Sequence, residues 1–250
     1  MRVVEILADP AALARAAAER IVALGTAAIE AQGRFSIALS GGTTPLATLQ
    51  RLSEDTSGAL DWARTHLFWS DERCVPPGHP DSNYGAAKAL LLDRVPLPSV
   101  NAHRIEGERD PAIAAADYET LLASSFATRA QAAPRFDLIL LGLGMDGHTA
   151  SLFPETIAAS VLAVENRYRW VLPVHVASRE SWRVTMTPAL INTAAEVMLL
   201  AFGRDKADVV RDLVAKSRPP EKLPARLIDP ANGRLSYFFD AAAARRLPAA

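Results

Sequence analysis

The run GLGMDGHT, from Gly142 to Thr149, sets a carboxylate and an imidazole two residues apart among three glycines. A histidine can take a proton from water and return it near neutral pH, and a neighbouring carboxylate can orient it. Thr149 and Ser151 follow with hydroxyls. A lone histidine is usually a satisfied polar group, but the glycine-rich setting and Asp146 favour acid–base chemistry for His148. His66, His79, His103 and His175 lack such a setting and read as structural or exposed.

A second group of residues suits an anion. Ser40, Gly41, Gly42, Thr43 and Thr44 precede Pro45 in a turn between an apolar run and a helical one. Glycines let backbone N–H groups close on a phosphate, hydroxyls add donors, and a helix N-terminus brings partial positive charge. The plain alternative is an ordinary capped turn. Arg73 in SDER could grip a phosphate or carboxylate bidentately, or pair with Asp71 and Glu72. Lys206 is one of four lysines in the chain and lies near a helix start, where an ammonium is disfavoured unless an anion binds. Its alternative is a solvated helix face. Arg183, and less clearly Arg179, are further candidates for either a salt bridge or a ligand contact.

Other chemistries find little support. The glycine turn matches neither the Walker pattern nor the dinucleotide fingerprint. There is no G-x-S-x-G elbow, and Cys74 has no histidine beside it. His79, Cys74 and the nearby acids lack the spacing of a zinc site, so neither a metal nor a cofactor is expected.

These residues need a frame. Apolar runs at Val3–Leu7, Phe35–Leu39, Leu67–Trp69, Phe136–Leu141, Glu196–Phe202 and Leu235–Phe239 read as strands, with a short one at 102–105. Helices are expected over Pro10–Ala31, capped by Asp9, and from about Pro45, Tyr84 to Leu92, Asp110 to Arg129, Asp205 to Ala215 and Asp240 to Arg246. Ser70–Arg73 reads as the loop ending the third strand, and 170–176 and 182–186 as extended. This alternation predicts an α/β fold, a Rossmann-like, mainly parallel sheet flanked by helices. Ligands of such sheets bind beyond the strands' carboxyl ends, where SGGTTP, SDER and GLGMDGHT should converge.

Composition bounds the rest. The 250 residues, half of them hydrophobic, suffice for one domain spanning 1–250. A net charge of −1 with interspersed signs offers no stripe for nucleic acid and no arm for a membrane, so the partner should be a small molecule. The single cysteine excludes an internal disulfide, and MRVVEILADP lacks the apolar core of a signal peptide. A reducing cytoplasm is therefore the expected location, and with no apolar run near the ~20 residues that span a bilayer the protein is expected to be soluble.

Taken together, ALSGGTTP, FWSDERCVPPGHPDSNYG, LILLGLGMDGHTASLFP, RVTMTPALIN and FGRDKADVV resemble the 6-phosphogluconolactonase family along nearly the whole chain. Tyr237 departs from the tryptophan more usual there. The resemblance implies a fold of the sugar-phosphate isomerase/deaminase type, shared with glucosamine-6-phosphate deaminase and ribose-5-phosphate isomerase. It further implies hydrolysis of 6-phospho-D-glucono-1,5-lactone to 6-phospho-D-gluconate in the pentose phosphate pathway. On that reading His148 and Asp146 are catalytic, and Ser40, Gly41, Gly42, Thr43, Arg73, Arg183 and Lys206 bind the substrate. The chain would act as a monomer or small homo-oligomer. Two alternatives stand beside it. A deaminase would carry patterns like DEY and GHIAFNEP where this chain has SDER and GHTASLFP. A non-catalytic sugar-phosphate sensor would need a DNA-binding module, and the first expected strand already starts at Val3.

Overall fold

In the computed structural model, which describes residues 1–55, 59–127 and 132–248, strands and helices alternate as the apolar runs predict. β1 (Arg2–Leu7), α1 (Pro10–Gln32), β2 (Phe35–Leu39), α2 (Thr43–Asp55) and β3 (Thr65–Trp69) come first. They are followed by β4 (Asp71–Arg73), α3 (Asn83–Leu90), β5 (Ala102–His103), α4 (Pro111–Ser125) and β6 (Leu138–Gly142). The second half runs through α5 (Pro154–Thr156), β7 (Val171–Val176), β8 (Ser181–Met186), α6 (Pro188–Ile191), β9 (Glu196–Ala201), α7 (Ala207–Ala215), β10 (Arg234–Asp240) and α8 (Ala241–Ala244).

The main sheet has the order β1-β10-β9-β6-β2-β3-β5, and every adjacent pair is parallel. Helices cover both faces of such a sheet, which is why β2 and β9 are buried at every position and are almost wholly apolar. From β2 the chain moves outward through β3 to β5; from β6 it moves the other way through β9 to β10. The direction reverses between β2 and β6, and a crevice opens beyond their carboxyl ends. The loops that leave these two strands are SGGTTP and GLGMDGHT.

Local signals hold at most helix ends. The Asp9 side chain accepts from Ala12 N–H at 2.8 Å, and Asp110 accepts from the N–H groups of Ala112 and Ile113. α2 starts at Thr43, two residues before Pro45, because proline is tolerated anywhere in a first turn whose N–H groups have no intrahelical partner. α4 ends at Ser125; the expected extension to Arg129 runs into residues outside the described ones.

One expectation fails in a way that matters for the site. Asp71–Arg73 is a strand, β4, belonging to a second, antiparallel sheet of order β4-β8-β7. Its register places Asp71 opposite Thr185, Glu72 opposite Val184 and Arg73 opposite Arg183. Three charged residues in a row carry no apolar alternation, so the period-2 signal of a strand is missing here. Tyr118 on α4 fixes the approach to this strand, its hydroxyl bonding both the N–H and the carbonyl of Trp69 at 2.9 and 3.0 Å. Among the described residues no helix is long and apolar enough to cross a membrane.

Candidate active site

The three loops do converge. Ser40, Gly41, Gly42, Thr43, Arg73, His148, Arg183 and Lys206 line one cavity of about 180 Å³ beyond the carboxyl ends of β2 and β6. Asp146 stands behind His148, away from the lining.

The imidazole is held by its neighbour. His148 Nδ1 lies 2.5 Å from Asp146 Oδ1, and the His148 backbone N–H donates to the same oxygen at 3.1 Å. Burial pushes the Asp146 carboxyl up, but the hydrogen bonds and charge of His148 outweigh it and hold it at about 2. The carboxylate is therefore ionised at neutral pH and can only accept. Nδ1 must carry a proton, so in the neutral imidazole Nε2 holds the lone pair.

Two glycines make this packing possible. A Cβ on Gly144 would fall 2.0 Å from His148 Nδ1 and 2.5 Å from Asp146 Oδ1. Gly147 adopts φ +85°, and a Cβ there would meet Leu223 at 2.3 Å. The N–H groups of Gly144 and Gly147 bond the carbonyls of His148 and Gly144 at 2.8 and 3.1 Å, so the loop closes on itself.

The opposite wall is the β2–α2 turn. Gly42 turns the chain at φ +92°, and Thr43 and Thr44 open α2 at the cavity, so the helix N-terminus faces it with its free N–H groups. Ser40 and Ser70 share a 2.6 Å hydroxyl contact that ties the ends of β2 and β3 together.

The cations form no ion pairs among the described residues. Glu72 accepts from the N–H groups of Arg73, Asn83 and Tyr84 at 2.7–2.8 Å and from Ser82 Oγ at 3.0 Å, so it ties β4 to the start of α3 and forms no ion pair with Arg73. Burial raises the Glu72 carboxyl, and these N–H donors pull against that rise. Arg73 instead donates to the carbonyl of Asp81. Among the described residues neither Arg73, Arg183 nor Lys206 has an ion-pair partner, and the Nε atoms of both arginines are buried without a hydrogen bond. Burial, then the charge of Arg73, lowers the pKa of Arg183. Lys206 ends a short 3₁₀ turn, Arg204–Lys206, directly before α7. Arg179 lines a neighbouring groove that shares Arg73 and Arg183 with the cavity.

The family described as glucosamine-6-phosphate isomerases/6-phosphogluconolactonase matches residues 8–237. The chain belongs to it. Within it the chain stands with the 6-phosphogluconolactonases. It is 38% identical over 248 residues to 6-phosphogluconolactonase of Nostoc sp., covering 98% of both chains. To the Synechocystis sp. enzyme of the same name it is 41% identical, covering 89% of this chain and 88% of the relative. The structure of 6-phosphogluconolactonase from Trypanosoma cruzi superposes with a TM-score of 0.87 at 30% identity, over 100% of this chain and 98% of that one.

Against this family background, several residues around the cavity escape sequence reading. Asp71 and Asn83 line it, with Asn83 Nδ2 donating to the Asp71 carbonyl at 2.9 Å. Gly41 is required beside them, since a Cβ would lie 1.9 Å from Asn83 Oδ1. Asp71 also accepts from Ser151 Oγ at 2.6 Å, which pins the segment after His148 to β4. Ala150, in that segment, holds φ +47° at the cavity wall. Phe153 lies under His148, its ring centroid 4.2 Å from the imidazole. Asp71 is legible in SDER only as a neighbour of Arg73; its partners Asn83 and Ser151 lie 12 and 80 positions away and carry no local signal. Among the described residues no three His, Cys, Asp or Glu side chains group as metal ligands would.

Proposed function

We propose that this chain hydrolyses 6-phospho-D-glucono-1,5-lactone to 6-phospho-D-gluconate in the oxidative pentose phosphate pathway. The observation that carries the reading is a carboxylate-held histidine in the same small cavity as three unpaired cations. Nε2 of His148 takes a proton from water as its oxygen bonds to the lactone C1. The tetrahedral intermediate then breaks the bond from C1 to the ring oxygen, and the imidazolium returns the proton to that oxygen. Asp146 stays ionised and stabilises the imidazolium.

The phosphate falls to the β2–α2 turn, Arg183 and Lys206. Held there, it orients the distant carbonyl as well as adding affinity. Two N–H groups of the glycine loop already bond carbonyls of that loop. Arg73 is then the better donor to the developing oxyanion.

The test is turnover by the purified protein, with spontaneous lactone opening subtracted. Accelerated opening without ammonia release from glucosamine 6-phosphate is expected. Ammonia release with no lactone opening would establish the deaminase reading instead, and binding of sugar phosphates without either turnover would establish a sensor.

A further inference from the structure

Phe153 touches both halves of the site. Its ring is 2% exposed and lies 4.2 Å from the His148 ring, tilted by only 23°. The guanidinium carbons of Arg179 and Arg183 stand 5.2 and 5.3 Å from the same ring's centroid, within cation–π range. The phenyl itself has little freedom. Phe153 N–H donates to Thr156 Oγ1, and that hydroxyl donates back to the Phe153 carbonyl, closing the turn that starts α5.

The bond to Asp146 fixes one atom of the imidazole. Cγ is tied to the backbone and Nδ1 to Asp146, but a single hydrogen bond leaves slack in χ1 and χ2, and a tilt within that slack would carry Nε2 off the line of attack. On the Nδ1 and Cε1 edge, the bare Gly144 backbone closes in without a side chain. A surface against the ring face takes up that slack, and the buried phenyl supplies it. We propose that Phe153 is a positioning residue for the reaction: it sets the plane of the His148 ring and seats Arg183 and Arg179 against that same plane. The Ser178 hydroxyl and N–H, both bonded to the Glu155 carboxylate, steady the turn that bears Arg179. This inference rests on His148 being the base.

Replacing Phe153 with Leu keeps an apolar filling but removes the flat face. The expected result is a folded protein whose kcat falls on the order of 10-fold, as small misplacements of a reacting group do. KM should move less than kcat. Phe153→Tyr, which keeps the ring, should restore most of the rate. A spectroscopic signature goes with it: the Hε1 proton resonance of His148, assigned by its loss in His148→Ala, should lie upfield from the phenyl ring current and shift downfield in Phe153→Leu. Should that variant not fold, Phe153→Met is the second ringless test by the same two readouts. A wild-type kcat in a ringless variant, or an unmoved resonance, overturns the proposal. His148→Ala keeps the two readings apart. A wild-type rate there overturns the base itself, whereas a normal loss there with full rate in Phe153→Leu overturns only the role of Phe153.

Discussion

Arg73 and Arg183 face each other in register across the β4–β8 ladder, two guanidiniums from adjacent strands at the wall of one cavity. Like charges directly opposite on a sheet repel, and burial adds to the cost for Arg183, which is 9% exposed. Neither forms an ion pair among the described residues, although the charges of Asp71 and Asp81 oppose that of Arg73 at Arg183. On the proposed reading the phosphate dianion neutralises Arg183 and the developing oxyanion neutralises Arg73, so each step of the reaction relieves part of the repulsion.

It follows that inorganic phosphate should raise the melting temperature of the wild-type protein in a concentration-dependent way. Arg183→Met should melt no lower than wild type without phosphate and should lose most of the phosphate-induced rise. Thermal scans across a phosphate series check both. An undiminished phosphate shift in the variant would remove Arg183 from the cradle.

The base makes a separate prediction. His148→Ala should fold and bind phosphate as wild type does, while turnover drops by ~10²–10⁴-fold, the usual contribution of a positioned acid–base group. Lys206→Ala should do the reverse, raising KM with a smaller change in kcat, because it removes a donor remote from the carbonyl. Steady-state kinetics after subtraction of the spontaneous rate separates the two patterns.

How much of this was legible in the sequence depends on the range of the signal. β2, β3, β6, β9 and β10 were visible because burial on both faces requires largely apolar runs, and Asp9 and Asp110 marked their helices through local capping. The glycine loop with Asp146 and His148 was equally local. In the second sheet β7 and β8 match the extended readings at 170–176 and 182–186, but β4 was not legible, since it is three charged residues whose extended state comes from pairing with β8 at Arg183–Thr185. Phe153 looked like any apolar residue; that its ring faces a histidine and two arginines is a matter of tertiary packing.

Gly144 offers a sharper test of the loop. Gly144→Ala places a methyl 2.0 Å from His148 Nδ1, an overlap that only displacement of the imidazole or of the loop can relieve. Turnover should fall as far as it does in His148→Ala, with phosphate binding preserved because the cradle lies on other elements. Full activity in Gly144→Ala would mean that the close Asp146–His148 approach is not needed for catalysis.

A last prediction concerns stability against pH, away from the cavity. His66 Nδ1 and His103 Nε2 are 3.1 Å apart at the β3–β5 edge, near Arg34, with His103 stacked on Phe68. One of the two nitrogens must accept, so the bond requires an unprotonated acceptor. Burial, then the charges of His66 and Arg34, depress His103 from the ordinary 6.5 to about 4, and burial followed by Arg34 lowers His66 as well. Between pH 6.5 and 4 the unfolded chain therefore takes up protons that the folded chain refuses, and stability must fall as pH falls through that window. The contribution is fully present above pH 6.5. Melting temperatures measured from pH 7.5 down to 4.5 should decline, and His103→Gln, which cannot titrate, should flatten the decline. Parallel pH curves for wild type and His103→Gln would show that this pair does not set the acid sensitivity of the fold.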